Sequence, residues 1–368
     1  MIGELDELFI KSIYKINKFK IFDVNEIIEA ITKEKTIKHL LYTNSSFPEF
    51  RLRLISNGFV SDFQKVLETI YFKSLSLNEN EITNLTQILL LNIYWHTGNL
   101  YKISNLKAIG NSFEETDYSE LYKIYLAFIY NTIGCFEDSL ALLNQIKIKS
   151  EEQRKKNELF LGVNMDVAVI TWKIWNRNEL MDYERMDYEL SFIENSINNR
   201  KMSPKSQSLL LLSIAVLFLN QEKFYLAKNY LKIALENSIK CGGIWLPRII
   251  SALSICEYHL GNFNKSRKLL NQSINEIKNH FGPLGWQLRI AQSYFLHKHQ
   301  QKALNLLFQV KESSKIKGEI VYNIWSKILI FEYSGGHIDN LDIRKIFAHA
   351  KKIKMQRACN YILKQKLI

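Results

Sequence analysis

Apolar residues recur at three- and four-residue spacing along nearly the whole chain, and the helical segments they mark are broken at a regular interval. In 121–133, LYKIYLAFIYNTI, the pattern runs until Gly134. In 223–236, KFYLAKNYLKIALE, Phe224, Ala227, Tyr230, Leu231 and Ala234 share one stripe, with Lys223, Lys228, Asn229 and Lys232 largely off it. No two-residue alternation lasts long enough between turn signals to demand a strand. The breaks fall near Gly98, Gly134, Arg177, Glu222, Gly261, Lys298 and Gly335, at intervals of 36, 43, 45, 39, 37 and 37 residues. A chain spaced this way is expected to form an all-α series of about 18 or 19 helices arranged as helix pairs. One pair alone leaves an apolar face bare, so stacking on its neighbours completes the core.

Residue size keeps the same phase. Seven positions before the break stands a small residue (Ala127, Ala215, Ser254, Ala291), and five after it another (Ser139, Ala227, Ser266, Ala303). Twelve after it come Gly110, Ala234 and Ser273, with Ile146 and Val310 as larger exceptions. Four before it lies an aromatic: Tyr94, Tyr130, Phe218, Tyr294 or Phe331. Antiparallel helices approach closely only where side chains are small, and an aromatic beside that contact fills the groove to the next pair. Glycine at Gly134, Gly261 and Gly335 suits a left-handed helix cap, while Ser203-Pro204 and Gly282-Pro283 read as helix starts.

With these positions the chain resembles the tetratricopeptide-like (TPR-like) helical repeats, best over 118–149, 208–239 and 284–315 and less well over 247–278 and 82–110. The resemblance implies a right-handed superhelix over residues 79–350, with 1–78 as a helical cap or small helical domain and 351–368 as a basic C-terminal helix. It also implies that the first helix of each pair lines a concave groove. Carried onto this sequence, Asn92, Trp95, Asn131, Arg248, Tyr258, Gln292 and Trp325 become the expected peptide- or protein-binding residues. Asparagine and glutamine can pair with a peptide backbone, and Trp or Tyr can pocket its side chains. In length, helical repeats and composition the chain also resembles intracellular peptide-signal receptors of the Rap and arbitrium-receptor type. That second resemblance implies a peptide-responsive regulator acting on DNA or on a regulatory protein, although no convincing helix-turn-helix stands in 1–75.

Charge is uneven along the chain. The 49 Lys and Arg exceed the 37 Asp and Glu by 12, but residues 1–184 hold 21 basic and 25 acidic groups, and 185–368 hold 28 and 12. Residues 344–368 carry eight Lys or Arg and no acidic side chain. Lys265, Arg267 and Lys268, with Lys351, Lys352, Lys354 and Arg357, are therefore the expected surface for an anionic partner, either an acidic protein or nucleic acid.

Chemistry-bearing motifs are missing. There is no GxSxG elbow, no GxxxxGK[ST] loop, no CxxC and no HExxH; Cys256, His259, His280, His297 and His299 lack metal-ligand spacing. The expectation is thus a protein with no catalytic residues, no metal and no cofactor, an enzyme of unrecognised type being the remaining alternative. Four scattered cysteines and no secretory signal suit a reducing, cytoplasmic setting. The longest apolar run, Leu209–Leu219, is broken by Ser213 and too short to span a bilayer. Oligomeric state has no signature in the sequence.

Overall fold

The computed structural model describes residues 4–17, 23–41, 46–56, 59–97, 117–147, 150–186, 190, 202–241, 243, 245–277, 284–336 and 342–368. Among these residues every regular element is helical: eighteen α-helices and a 3-10 turn, Lys38–Leu41. In chain order the first nine are α1 (Glu4–Asn17), α2 (Val24–Lys33), α3 (Phe47–Ser56), α4 (Val60–Ser76), α5 (Asn80–Thr97), α6 (Ser119–Ile133), α7 (Phe136–Asn144), α8 (Glu151–Leu161) and α9 (Met165–Leu180). The rest are α10 (Pro204–Asn220), α11 (Phe224–Lys240), α12 (Leu246–His259), α13 (Phe263–Ile277), α14 (Leu284–Leu296), α15 (Gln300–Lys317), α16 (Ile320–Tyr333), α17 (Ile343–Lys352) and α18 (Gln356–Lys364). Most pack on the next helix in the chain or on the one after it. None is long and apolar enough to cross a membrane.

The chain divides into two compact units, Met1–Leu126 with Ile146–Gly162, and Ala127–Gln145 with Val163–Ile368. The first is built around aromatic rings: Phe9 stacks on Phe50 at 4.7 Å, and Phe63 meets Phe50 edge-on at 6.4 Å. Arg51 is buried beside them and donates to the Phe160 carbonyl, to Tyr125 Oη at 2.7 Å and to Asn92 Oδ1 at 3.4 Å. Asn92 is thus a buried acceptor inside the first unit. Helix α8 starts where Ser150 accepts from the Gln153 N–H, with Glu151 and Glu152 in the first turn, where carboxylates favour the helix dipole.

In the second unit the hinges share one backbone device. Gly134, Met181, Glu222, Gly261, Lys298 and Gly335 all have φ between 57° and 86°. The residue after each hinge donates to a carbonyl five positions back, as in Cys135 N to Tyr130 O at 2.8 Å, Lys223 N to Phe218 O at 2.9 Å and His299 N to Tyr294 O at 2.9 Å. The aromatic four before the hinge is therefore the acceptor of the closing bond at these three hinges. The break expected at Arg177 moves to Met181: Arg177 lies inside α9, and Asp182 N closes the turn on its carbonyl at 3.0 Å. Methionine, glutamate and lysine take the left-handed position here without glycine, at a cost of order 1 kcal/mol each that the packing of the pairs offsets. The expected hinge at Gly98, the small Gly110, His280 and the Gly282-Pro283 start lie outside the described residues.

The small-residue phase is realised as contact. Ala127, Ala215, Ser254 and Ala291, and their counterparts Ser139, Ala227, Ser266 and Ala303, are all fully buried. Ser139 Oγ donates to the Ala127 carbonyl at 2.8 Å and Ser266 Oγ to the Ser254 carbonyl at 2.7 Å, so partner helices touch backbone to side chain. Helix α10 starts as expected, with Ser203 capping the Ser206 N–H ahead of Pro204.

The last helices of this unit return to its first. Helix α18 packs on α9 as well as on α16 and α17. Phe136 and Leu180 share one apolar core with Ile346, Met355 and Ile362. Gly134 abuts Ile353, where an added Cβ would lie 2.6 Å from its Cδ1. Lys354 pairs with Glu137 at 2.6 Å, and Lys364 pairs with Glu222.

Candidate functional site

Helix pairing leaves the first helix of each pair with a second, inward stripe opposite its small-residue seam. In the second unit these stripes line a half-open cavity of about 160 Å³, which shares Asn220, Arg289, Gln292, Trp325 and Arg357 with the wall of a larger one of about 820 Å³. The lining of the smaller cavity comes from α6, α9, α10, α12, α14, α16 and α18. Counted back from each hinge, it recurs at thirteen (Arg248, Gly285, Tyr322), nine or ten (Leu212, Arg289, Trp325), six (Trp175, Val216, Gln292) and two or three (Asn131, Glu179, Asn220). That is the three-to-four spacing of one helical face.

The polar groups form two sets. Glu179 Oε1 accepts from Arg357 Nε at 2.9 Å and again from its Nη2, while Glu179 Oε2 accepts from the Trp325 indole N–H at 3.3 Å. The Arg357 guanidinium lies 4.1 Å from the Trp325 ring centroid, and Tyr361 meets that ring edge-on at 5.6 Å. This clasp joins α9 to α18, the last helix of the unit, inside the cavity wall.

The second set is cationic without a carboxylate. Arg289 Nη2 donates to Asn220 Oδ1 at 2.7 Å and its Nη1 to Gln292 Oε1 at 3.2 Å, both neutral acceptors. Burial, reinforced by the nearby Arg357, pulls Arg289 from 12.5 down to about 10. Arg248 lies between two indoles, 5.4 Å from the Trp175 centroid and 5.1 Å from that of Trp286. Burial pulls it down to about 10 as well. Among the described residues no hydrogen-bond acceptor meets its guanidinium. The smaller cavity therefore holds three guanidinium groups and one carboxylate. In the larger one, Glu222 is held by Lys364, and Glu332 accepts from Tyr361 Oη at 2.8 Å.

Of the groove residues expected from sequence, Asn131, Arg248, Gln292 and Trp325 meet at this cavity. Asn131 Nδ2 donates to Asn176 Oδ1 at 3.0 Å, and Asn176 Nδ2 in turn donates to Ser139 Oγ at 2.8 Å. Asn92 belongs to the first unit. Trp95 lies in α5, and its side chain is outside the described residues. Tyr258 is turned to the hinge instead, edge-on to Phe263 at 5.0 Å and His297 at 5.2 Å. Among the basic residues, Arg357 is drawn into the clasp and Lys354 is paired with Glu137. Lys265 meets Glu257, which is 1% exposed in its side chain, at 2.7 Å. Burial alone would raise Glu257, but hydrogen bonds from Lys265, Lys228 and Asn262 outweigh it and hold the carboxyl low. Arg267, Lys268, Lys351 and Lys352 remain exposed.

Trp175, Glu179, Trp286, Arg289 and Tyr322 also line it without having been singled out by sequence reasoning. The signal was present: with the hinge at Met181 rather than Arg177, Trp175 takes the same register as Gln292. Cys256 carries no nucleophile's environment, since burial pushes its thiol up to about 12. Its neighbour His259 stacks on Phe224 at 4.1 Å. Among the described residues no group of three or more His, Cys, Asp or Glu is placed to hold a metal ion. No protein-family model and no curated protein matches the chain.

Proposed function

We propose that the second unit is a TPR-like right-handed solenoid whose ends meet, and that the chain is a non-enzymatic regulator binding a peptide or protein segment in the groove its first helices line. The observation that carries this reading is the convergence of Asn131, Arg248, Gln292 and Trp325, from four separate helices, on one cavity whose walls mix indoles with amide side chains. Tryptophan and arginine are the residues that dominate binding energy at protein interfaces, and amides suit a peptide backbone. The larger cavity gives an extended chain room beyond the smaller one.

A ligand spanning the groove would touch α9 and α18 together, so occupancy would bias the clasp between Glu179 and Arg357 and thereby whatever surface the unit presents. Such differential contact is what a switch requires. The test is affinity selection of random hexapeptide pools on the full chain. Peptides retained by the native protein should be lost from a Gln292→Ala, Trp325→Ala double variant that still melts cooperatively. Equal retention by that variant removes the groove from the function.

A further inference from the structure

Helix α11 leaves a row of apolar side chains in the open. Tyr225, Leu226, Ile233 and Ile239 are 66%, 43%, 50% and 64% exposed, and no other helix among the described residues carries more than two large apolar side chains left exposed. At about 100° per residue the four fall within about 140° of arc and run for about 21 Å along the helix. The opposite side is the seam of Ala227, Leu231, Ala234 and Ser238, which are fully buried. Lys232 and Lys240 lie in the exposed arc, with Asn229 and a single acid, Glu236. Helix α13 opens with exposed Phe263 and holds Arg267 and Lys268 out to solvent. The two helices meet at Glu257 of α12, which takes Lys228 from α11 at 3.0 Å and Lys265 from α13 at 2.7 Å. Those two lysines are engaged within the fold. Lys232, Lys240, Arg267 and Lys268 make no ion pair among the described residues.

We propose that this face of the second unit docks on an anionic lipid surface. Tyr225, Leu226, Ile233, Ile239 and Phe263 would enter the headgroup region, and Lys232, Lys240, Arg267 and Lys268 would meet the lipid phosphates. A helix that shows apolar groups and cations on one exposed face lies in the plane of such an interface, and lysine stems can follow the apolar surface while their ammonium groups reach the phosphates. The surface is independent of the groove, since α11 gives the larger cavity only Phe224 and α13 gives neither cavity a residue. The four α11 side chains therefore project from a ridge. A protein partner draws its binding energy from anchors seated in recesses, whereas a bilayer needs only apolar groups at one level with cations around them. Charge argues against a second copy of the chain. Lys232 stands at the midpoint of α11, so a two-fold pairing of the stripe would set it against its own equivalent. Glu236 is the one group in the arc that an anionic surface repels.

Sedimentation of the full chain with vesicles of phosphatidylcholine alone, or of phosphatidylcholine mixed with phosphatidylglycerol, tests the proposal. The protein should pellet with the mixed vesicles and not with the neutral ones, and added salt should release it by screening the attraction. Tyr225→Ser with Ile233→Ser and Ile239→Ser exchanges only exposed side chains, so this variant should melt as the native chain does while binding the mixed vesicles roughly 10- to 100-fold less tightly. Glu236→Gln should bind roughly fivefold more tightly, and Lys232→Gln with Lys240→Gln roughly 25-fold less. Lys351→Gln with Lys352→Gln, on α17, should change nothing. Undiminished binding by the triple serine variant, equal affinity for neutral vesicles, or binding lost with Lys351 and Lys352 would each overturn the proposal. Failure to bind either vesicle would overturn it as well, and self-association in sedimentation velocity that the triple serine variant abolishes would then assign the face to a second copy.

Discussion

Replacing Arg248 with methionine should stabilise the protein, although it deletes a residue that lies between two tryptophans. Burial holds the guanidinium at about 10 instead of 12.5. At about 1.4 kcal/mol per tenfold change in proton affinity, that depression disfavours the charged form by roughly 3 kcal/mol. Two indole contacts, at 5.4 and 5.1 Å, return part of it, and water entering the cavity screens more, leaving a net cost of about 1–2 kcal/mol. Methionine fills similar volume and its sulfur packs well on indole faces. For a domain of this size each kcal/mol moves the midpoint by about 2–4 °C, so Arg248→Met should melt roughly 2–8 °C higher at neutral pH. Calorimetry with far-ultraviolet circular dichroism measures it. A melting point below that of the native chain would refute the reasoning, because it would mean that Arg248 satisfies a structural partner instead of awaiting a ligand.

Three further outcomes follow from single contacts. Glu179→Ala leaves Arg357 without its carboxylate and should cost about 2–4 kcal/mol in urea unfolding, most of it recovered in Glu179→Ala with Arg357→Met; an additive double-mutant cycle would contradict the clasp. Gly134→Ala should destabilise well beyond Gly261→Ala: both have φ above 80°, but only at Gly134 does the new methyl meet Ile353 at 2.6 Å, whereas nothing lies within 4 Å at Gly261. Equal losses would show that the C-terminal helices do not press on this hinge. Burial pushes Glu319 from 4.5 up to about 7, so between those values the folded chain keeps a proton that the unfolded chain releases. Stability should therefore fall as pH rises through that window, by roughly 3 kcal/mol in all, and Glu319→Gln should flatten the slope. A pH-independent difference between the two proteins would contradict it.

The helices and their pairing were legible because the seam between partner helices admits only small residues, and Ser254 against Ser266 or Ala215 against Ala227 records that constraint directly. Hinges at glycine were equally plain. The hinge at Met181 was not, since nothing in a methionine announces a left-handed backbone, and misplacing it hid Trp175 and Glu179 behind a presumed turn. Four residues of the cavity wall were readable from the register of the first helices, but Tyr258 was not separable from them: inward and hinge-facing aromatics differ by one helical step. The return of α18 onto α9 was out of reach for a different reason. It joins residues nearly 180 apart, such as Glu179 and Arg357, and local periodicity carries no information on so distant a contact. Reading residues 344–368 as one basic surface followed from that gap, because the acids that pair with Lys354, Arg357 and Lys364 are Glu137, Glu179 and Glu222, all far upstream in the chain.

Hydrogen exchange of the full chain, with and without peptides that the native protein retains from the hexapeptide pools, tests the central claim most directly. The account predicts slowed exchange in the inward helices α9, α12, α14, α16 and α18, greatest around Arg248, Arg289 and Arg357, with α11, α13 and α15 unchanged. Protection confined to α11, α13 and α15, or to residues of the first unit, would contradict it.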